Sequence, residues 1–121
     1  MQKDVMAYLP TYRRTKGWFS FTDLLVFDAI LDAQTASGTT GDLLEIGVMH
    51  GKSAFFLNRK RTQEEHLYLC DLFESLAETE ANQKENAASY RGVSRAAFNR
   101  ASAKEGVKNA GSSLSSVVAV G

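Results

Sequence analysis

The chain has 121 residues, 44% of them apolar, which is enough for one domain with a real core and too little for two. Lys plus Arg equals Asp plus Glu at 14 each, so no net charge draws the chain to nucleic acid or to an anionic membrane. A single cysteine, Cys70, excludes an internal disulfide, and two histidines without a CxxC pair make no metal-ligand cluster, so a cytoplasmic protein with no metal site is expected.

Residues 1–17 carry aromatic and basic side chains without a clean period, and Pro10 interrupts any helix starting at Asp4. They read as an N-terminal arm reaching to about residue 20. The arm has no apolar leader, and no run in the chain approaches the roughly 18 apolar residues of a membrane span. Phe21 to about Ala36 reads as a helix, with Ser20 and Asp23 at capping-box spacing, Asp28 and Asp32 four apart on one face, and a stop near Ser37-Gly38. Trp18, just before it, is either an anchor under the helix start or a wall of a ligand site.

Leu43-Leu44-Glu45-Ile46 reads as a buried strand that turns through Gly47 and Gly51 into a helix running from Lys52 to about Arg61. The basic run Arg59-Lys60-Arg61 suits the negative end of that helix and reads as solvated. His66 to Cys70 is a second strand, stopped by Asp71. Strand, helix and strand over this span make a parallel pair, so the fold class is α/β.

Residues 72–92 are polar all round, with Glu74, Glu78, Glu80 and Glu85 among small side chains, and are expected to lie over the strand ends as partly helical structure. Ser94 caps a helix from Arg95 to about Lys104, with Ala97, Phe98 and Ala101 inward and Gly106 as its stop. Val117 to Val120 reads as the start of a third strand, and the small-residue tail around it suggests a truncated gene product.

Three readings compete for the bend Glu45-Ile46-Gly47-Val48-Met49-His50-Gly51-Lys52-Ser53. A P-loop needs one more residue between its glycines to wrap a phosphate, and Glu45 beside it would repel a polyphosphate. The dinucleotide pattern GxGxxG fails because Met49 stands where its second glycine belongs. An ExGxxxG loop, with a carboxylate before the turn, suits a cationic ligand bearing an amino acid. Asp71 lies about 24 positions beyond Gly47, the distance at which an acid ends the second strand and hydrogen-bonds the ribose hydroxyls of an adenosine.

The bend, followed by Leu67-Tyr68-Leu69-Cys70-Asp71-Leu72-Phe73-Glu74, resembles motif I and the post-I acidic strand of class I S-adenosylmethionine-dependent methyltransferases, nearest to the macrocin and sugar O-methyltransferase branch. The resemblance runs from about Trp18 to Phe98. It implies a Rossmann-like parallel sheet, here cut off after about three strands, and S-adenosyl-L-methionine as cofactor. It implies that Gly47, Val48 and Gly51 let the methionine part lie against backbone, that Glu45 reaches the amino-acid end, and that Asp71 takes the ribose. Leu72 and Phe73 would flank the adenine, Lys52 and Ser53 would help at the carboxylate, and His50 would face the cofactor. The substrate would be a small-molecule methyl acceptor, modified at oxygen, and no catalytic side chain is assigned. The first strand would leave an open edge for self-association. The alternatives are a non-catalytic α/β interaction module and, behind it, a P-loop-like nucleotide hydrolase.

Overall fold

In the computed structural model, which describes residues 3–71, 73, 92–107 and the backbone of 117–120, the described residues form four helices and three strands in a mixed α/β arrangement. These are α1 (Lys3–Arg14), α2 (Phe21–Ala36), β1 (Leu43–Ile46), α3 (Lys52–Lys60), β2 (Leu67–Cys70), α4 (Arg95–Lys104) and β3 (Val117–Val120). The Glu-rich stretch between β2 and α4, read above as cover over the strand ends, lies outside the described residues.

The supposed arm is mostly helix α1, with Pro10 inside it. A proline in a helix interior costs about 3 kcal/mol by removing one N–H and crowding the carbonyl four residues back. Here that carbonyl belongs to Met6, and Met6 and Pro10 are both exposed, so water can take the freed acceptor. The opposite face offsets the cost. Val5, Tyr8 and Thr11 are buried, the Tyr8 ring packs on Phe56 at 5.3 Å between centroids, and its hydroxyl donates to the Lys52 carbonyl. Asp4 in the first turn and Arg13 and Arg14 in the last suit the helix dipole.

Helix α2 starts in the expected capping box: Ser20 N–H donates to Asp23 Oδ2 at 2.8 Å, and Asp23 N–H to Ser20 Oγ at 3.1 Å. It ends with Ser37 as C-cap and Gly38 at φ 74°. Helix α3 buries Ala54, Phe55, Phe56 and Leu57 in succession, which makes it the centre of the core.

Strands β1 and β2 are parallel, Leu43 opposite Leu67 and Ile46 opposite Cys70. Strand β3 lies beside β2, giving the order β1-β2-β3, but runs antiparallel to it with Val117 opposite Cys70. The expected parallel sheet is therefore corrected to a mixed one. Alternation of side chains sends Leu67 and Leu69 into the core and leaves Leu44, Ile46 and Tyr68 exposed on the other face.

The basic run Arg59-Lys60-Arg61 is likewise not a solvated end. Lys60 Nζ is buried and donates to Asp28 Oδ1 at 2.8 Å and to Asp32, with Asp4 at 3.5 Å, so one ammonium joins α1, α2 and α3. Burial opposes its charge, yet the bonds to Asp28 and Asp32 raise its pKa above the usual lysine value. Asp28 is almost wholly buried, and its Oδ2 has no hydrogen-bond partner among the described residues, which makes Lys60 its compensating charge. Lys60→Met should lower the free energy of unfolding by about 3–5 kcal/mol because it strands a buried carboxylate. Adding Asp28→Leu should restore most of the loss, as read from urea unfolding of the two single variants and the double.

Candidate functional site

The site begins where β1 ends. The Gly47 N–H donates to the Cys70 carbonyl at 2.8 Å, extending the β1–β2 ladder by one bond before the chain bends. Gly47, Met49 and Gly51 all have positive φ, at 88°, 53° and 90°. At Gly47 the angle alone calls for glycine. At Gly51 space does so too, because a Cβ would stand 2.7 Å from the Phe55 ring and 2.9 Å from the Phe98 ring. Gly51 is the N-cap of α3 without a side-chain acceptor, so the first-turn amides of that helix have no capping side chain.

Asp71 holds the bend in shape. Its Oδ2 accepts from Val48 N–H at 2.7 Å and Met49 N–H at 2.9 Å, while Oδ1 accepts from Phe73 N–H at 2.8 Å. Of the roughly four acceptor directions of a carboxylate, one is left for anything else. The second strand's acid thus has a structural task that its spacing from the glycines did not reveal.

Glu45 lies at the same tip of the sheet. Ser53 Oγ donates to its Oε1, while Oε2 is buried without a hydrogen-bond partner among the described residues. Burial pushes its pKa from the usual 4.5 to about 7; the Ser53 bond works against the rise and nearby Asp71 adds to it. An acceptor without a donor in a desolvated place is a costly feature that a cation or a protic group would relieve.

Two cavities flank the bend. The smaller, about 220 Å³, is lined by Gly47, Val48, Lys52, Ser53 and Asp71 on the bend side and by Lys16, Trp18 and Phe19 opposite. The larger, about 500 Å³, opens on the α1–α4 side and shares Met49 and Lys16 with the first. His50 lines the larger one, and burial, with Lys16 near it, lowers its pKa.

The residues singled out from the sequence are therefore brought together but divided in task. Gly47, Ser53 and Asp71 line the small cavity, and Glu45 reaches it through Ser53. Val48 is buried at the edge of the same cavity with its amide already taken by Asp71, and Gly51 packs against the Phe55 and Phe98 rings away from it. The Lys52 ammonium lies over the Tyr12 ring, 3.9 Å from its centroid. Phe73 is buried against Phe98 at 5.7 Å between centroids, while Leu72 lies outside the described residues. Lys16 and Phe19 belong to the wall and were not anticipated. Their signal was the spacing of Val5, Tyr8, Tyr12 and Thr15, which runs at helical period through Pro10 and carries the chain to the bend.

Among the described residues no group of three or more His, Cys, Asp and Glu side chains is placed to hold a metal ion, and no helix is long and apolar enough to cross a membrane. No family model, curated protein or solved structure matches the chain.

The folded chain holds the Glu45 proton more tightly than the unfolded chain does. Its contribution to stability is complete below the usual 4.5 and is lost as pH rises through about 7. Unfolding free energy should therefore fall by up to about 3 kcal/mol from this group between those limits, and Glu45→Gln should flatten that slope in urea titrations at pH 4.5, 6 and 8.

Proposed function

We propose that the chain is the S-adenosylmethionine-binding part of a methyltransferase of the class I, Rossmann-like kind, acting at oxygen on a small molecule or sugar in the cytoplasm. The observation that carries this reading is the buried Oε2 of Glu45, without a hydrogen-bond partner among the described residues, beside a glycine bend at the tips of two parallel strands. That donorless acceptor fits an α-ammonium, and the bend's small cavity fits the chain that bears it. The single acceptor direction left on Asp71 suits one ribose hydroxyl. When bound, S-adenosylmethionine supplies a methyl group activated by its sulfonium.

On this reading the chain's own groups bind and orient. Glu45, turned by Ser53, takes the amino end, and Gly47 leaves open space where a side chain would stand. Asp71 keeps the bend from flexing, so the acidic tip is preorganised before a ligand arrives. The nucleophile belongs to the acceptor, and no side chain here is given a nucleophilic role. A P-loop-like role fits less well, because the Tyr12 ring holds the Lys52 ammonium that would meet a phosphate.

Calorimetry with S-adenosylhomocysteine tests the reading. Wild type should bind it, and Glu45→Gln should weaken binding about tenfold or more, since an amide would face an ammonium with its own N–H groups. Affinity in the wild type should also rise from pH 6 to pH 8 as Glu45 loses its proton. A folded wild type that binds neither S-adenosylhomocysteine nor S-adenosylmethionine at millimolar concentration would end the proposal.

One observation favours a second reading, that of an interaction module. Leu44, Ile46 and Tyr68 expose an apolar strip on β1 and β2, and β1 forms the end of the sheet with no further strand paired to it among the described residues. Self-association through that edge should show in sedimentation as a concentration-dependent rise in mass. Ile46→Lys, which places a charge on the strip, should abolish the rise.

A further inference from the structure

The larger cavity has a character of its own. Four of its lining side chains are cationic, Arg14, Lys16, Arg100 and Lys104, against one carboxylate, Glu105. That carboxylate is already occupied: Arg14 donates to its Oε1, and Thr11 Oγ1 to its Oε2 at 2.7 Å. Among the described residues no carboxylate pairs with Lys16, Arg100 or Lys104. Arg100 and Lys104 stand one turn apart on α4, where like charges repel unless an anion lies between them. Lys16 and Arg14 face them from the end of α1.

The rest of the lining is mostly apolar, with Thr15, His50 and Ser94 as its other polar residues. Phe55 and Phe98 both line the cavity and stack with centroids 5.7 Å apart and planes 14° apart. Ala97 and Ala101 on α4 are small enough to leave the space above them open. Basic walls around an aromatic base match a ligand with a flat apolar body and an anionic substituent.

We propose that this cavity binds a small planar organic anion, a carboxylate or phosphate ester on a flat apolar frame, and that this molecule is the methyl acceptor. The identification as acceptor rests on the function proposed above, because the cavity meets the cofactor side only through the shared wall of Met49 and Lys16. Binding of the anion itself stands on the cavity, its charges and its aromatic base.

The test is titration of the 121-residue chain with phenyl phosphate and with benzoate, followed by NMR at low salt, with S-adenosylhomocysteine titrated in parallel. Arg100 and Lys104 are exposed, so Arg100→Gln/Lys104→Gln leaves the core untouched, and Lys16→Gln probes the opposite wall. The wild type should bind at least one of the two anions, and the double variant should bind it about tenfold more weakly. Lys16→Gln should weaken it to a smaller extent, and the affinity of the double variant for S-adenosylhomocysteine should be unchanged. The stronger of the two probes identifies the anionic group. Failure of both anions to bind the wild type, or equal binding by wild type and double variant, overturns the proposed anion site. Inorganic phosphate binding as tightly as phenyl phosphate overturns the flat frame. Anion binding without any binding of S-adenosylhomocysteine overturns the acceptor assignment and the proposed function while leaving the anion site in place.

Discussion

Everything at the carboxyl edge of the sheet depends on one carboxylate receiving three backbone N–H groups. Asp71, at the end of β2, takes the amides of Val48 and Met49 from the neighbouring connection and that of Phe73 from its own. Hydrogen bonds to a charged acceptor contribute about 1.5–3 kcal/mol each. Holding Met49, a residue with a Cβ, at φ 53° costs about 1–2 kcal/mol, so the balance favours the bend. Without Asp71, the tip of β1 and the start of α3 would keep the Ser53–Glu45 bond but lose the two amide bonds that shape the connection between them. The cap geometry that lets Gly51 press on Phe55 and Phe98 would then lose its support.

That arrangement also explains the state of Glu45. Two carboxylates at adjacent strand tips cannot share the same surroundings cheaply, and the structure separates their roles. Asp71 faces backbone donors, which suit a negative charge. Glu45 has one hydroxyl donor and a buried oxygen without any among the described residues, and burial raises its pKa to about 7. A buried acid with a raised pKa is a recurring feature of binding and catalytic sites, and it is one that a ligand can switch.

The βαβ unit was legible in the sequence because its signals are local: two short apolar runs, glycines where φ must be positive, a helix-forming stretch between. The capping box of α2 was legible for the same reason. What escaped was set by partners distant in the chain. Pro10 speaks against a helix until Tyr8 is seen to pack on Phe56 and to reach the Lys52 carbonyl. Arg59-Lys60-Arg61 looks like a solvated end until Asp28 and Asp32, whose shared face was visible, are found aimed at Lys60. The direction of β3 is not written in Val117–Val120 at all. Helix α4 ends with Glu105 tied to the last turns of α1, and the strand that follows enters beside Cys70 and runs against β2. Asp71 was noticed for its position, but its amide partners belong to the bend and could be known only once the bend had a shape.

A chain with equal numbers of acids and bases distributes them unevenly around this bend. Asp71, Lys16 and Lys52 line the small cavity with Glu45 beside it, while Arg14, Lys16, Arg100 and Lys104 line the large one together with His50, and Met49 and Lys16 form the shared wall. The fold sets this distribution: Glu45 and Asp71 stand at the tips of neighbouring strands, whereas the bases of the large cavity come from the last turn of α1, the residues just after it and α4, and Glu105 ties α4 to α1. His50, kept low in pKa by burial and by Lys16, adds little charge of its own to the large cavity near neutral pH. The shared Met49 and Lys16 bring the two cavities to a common boundary, an arrangement suited to holding two unlike molecules side by side.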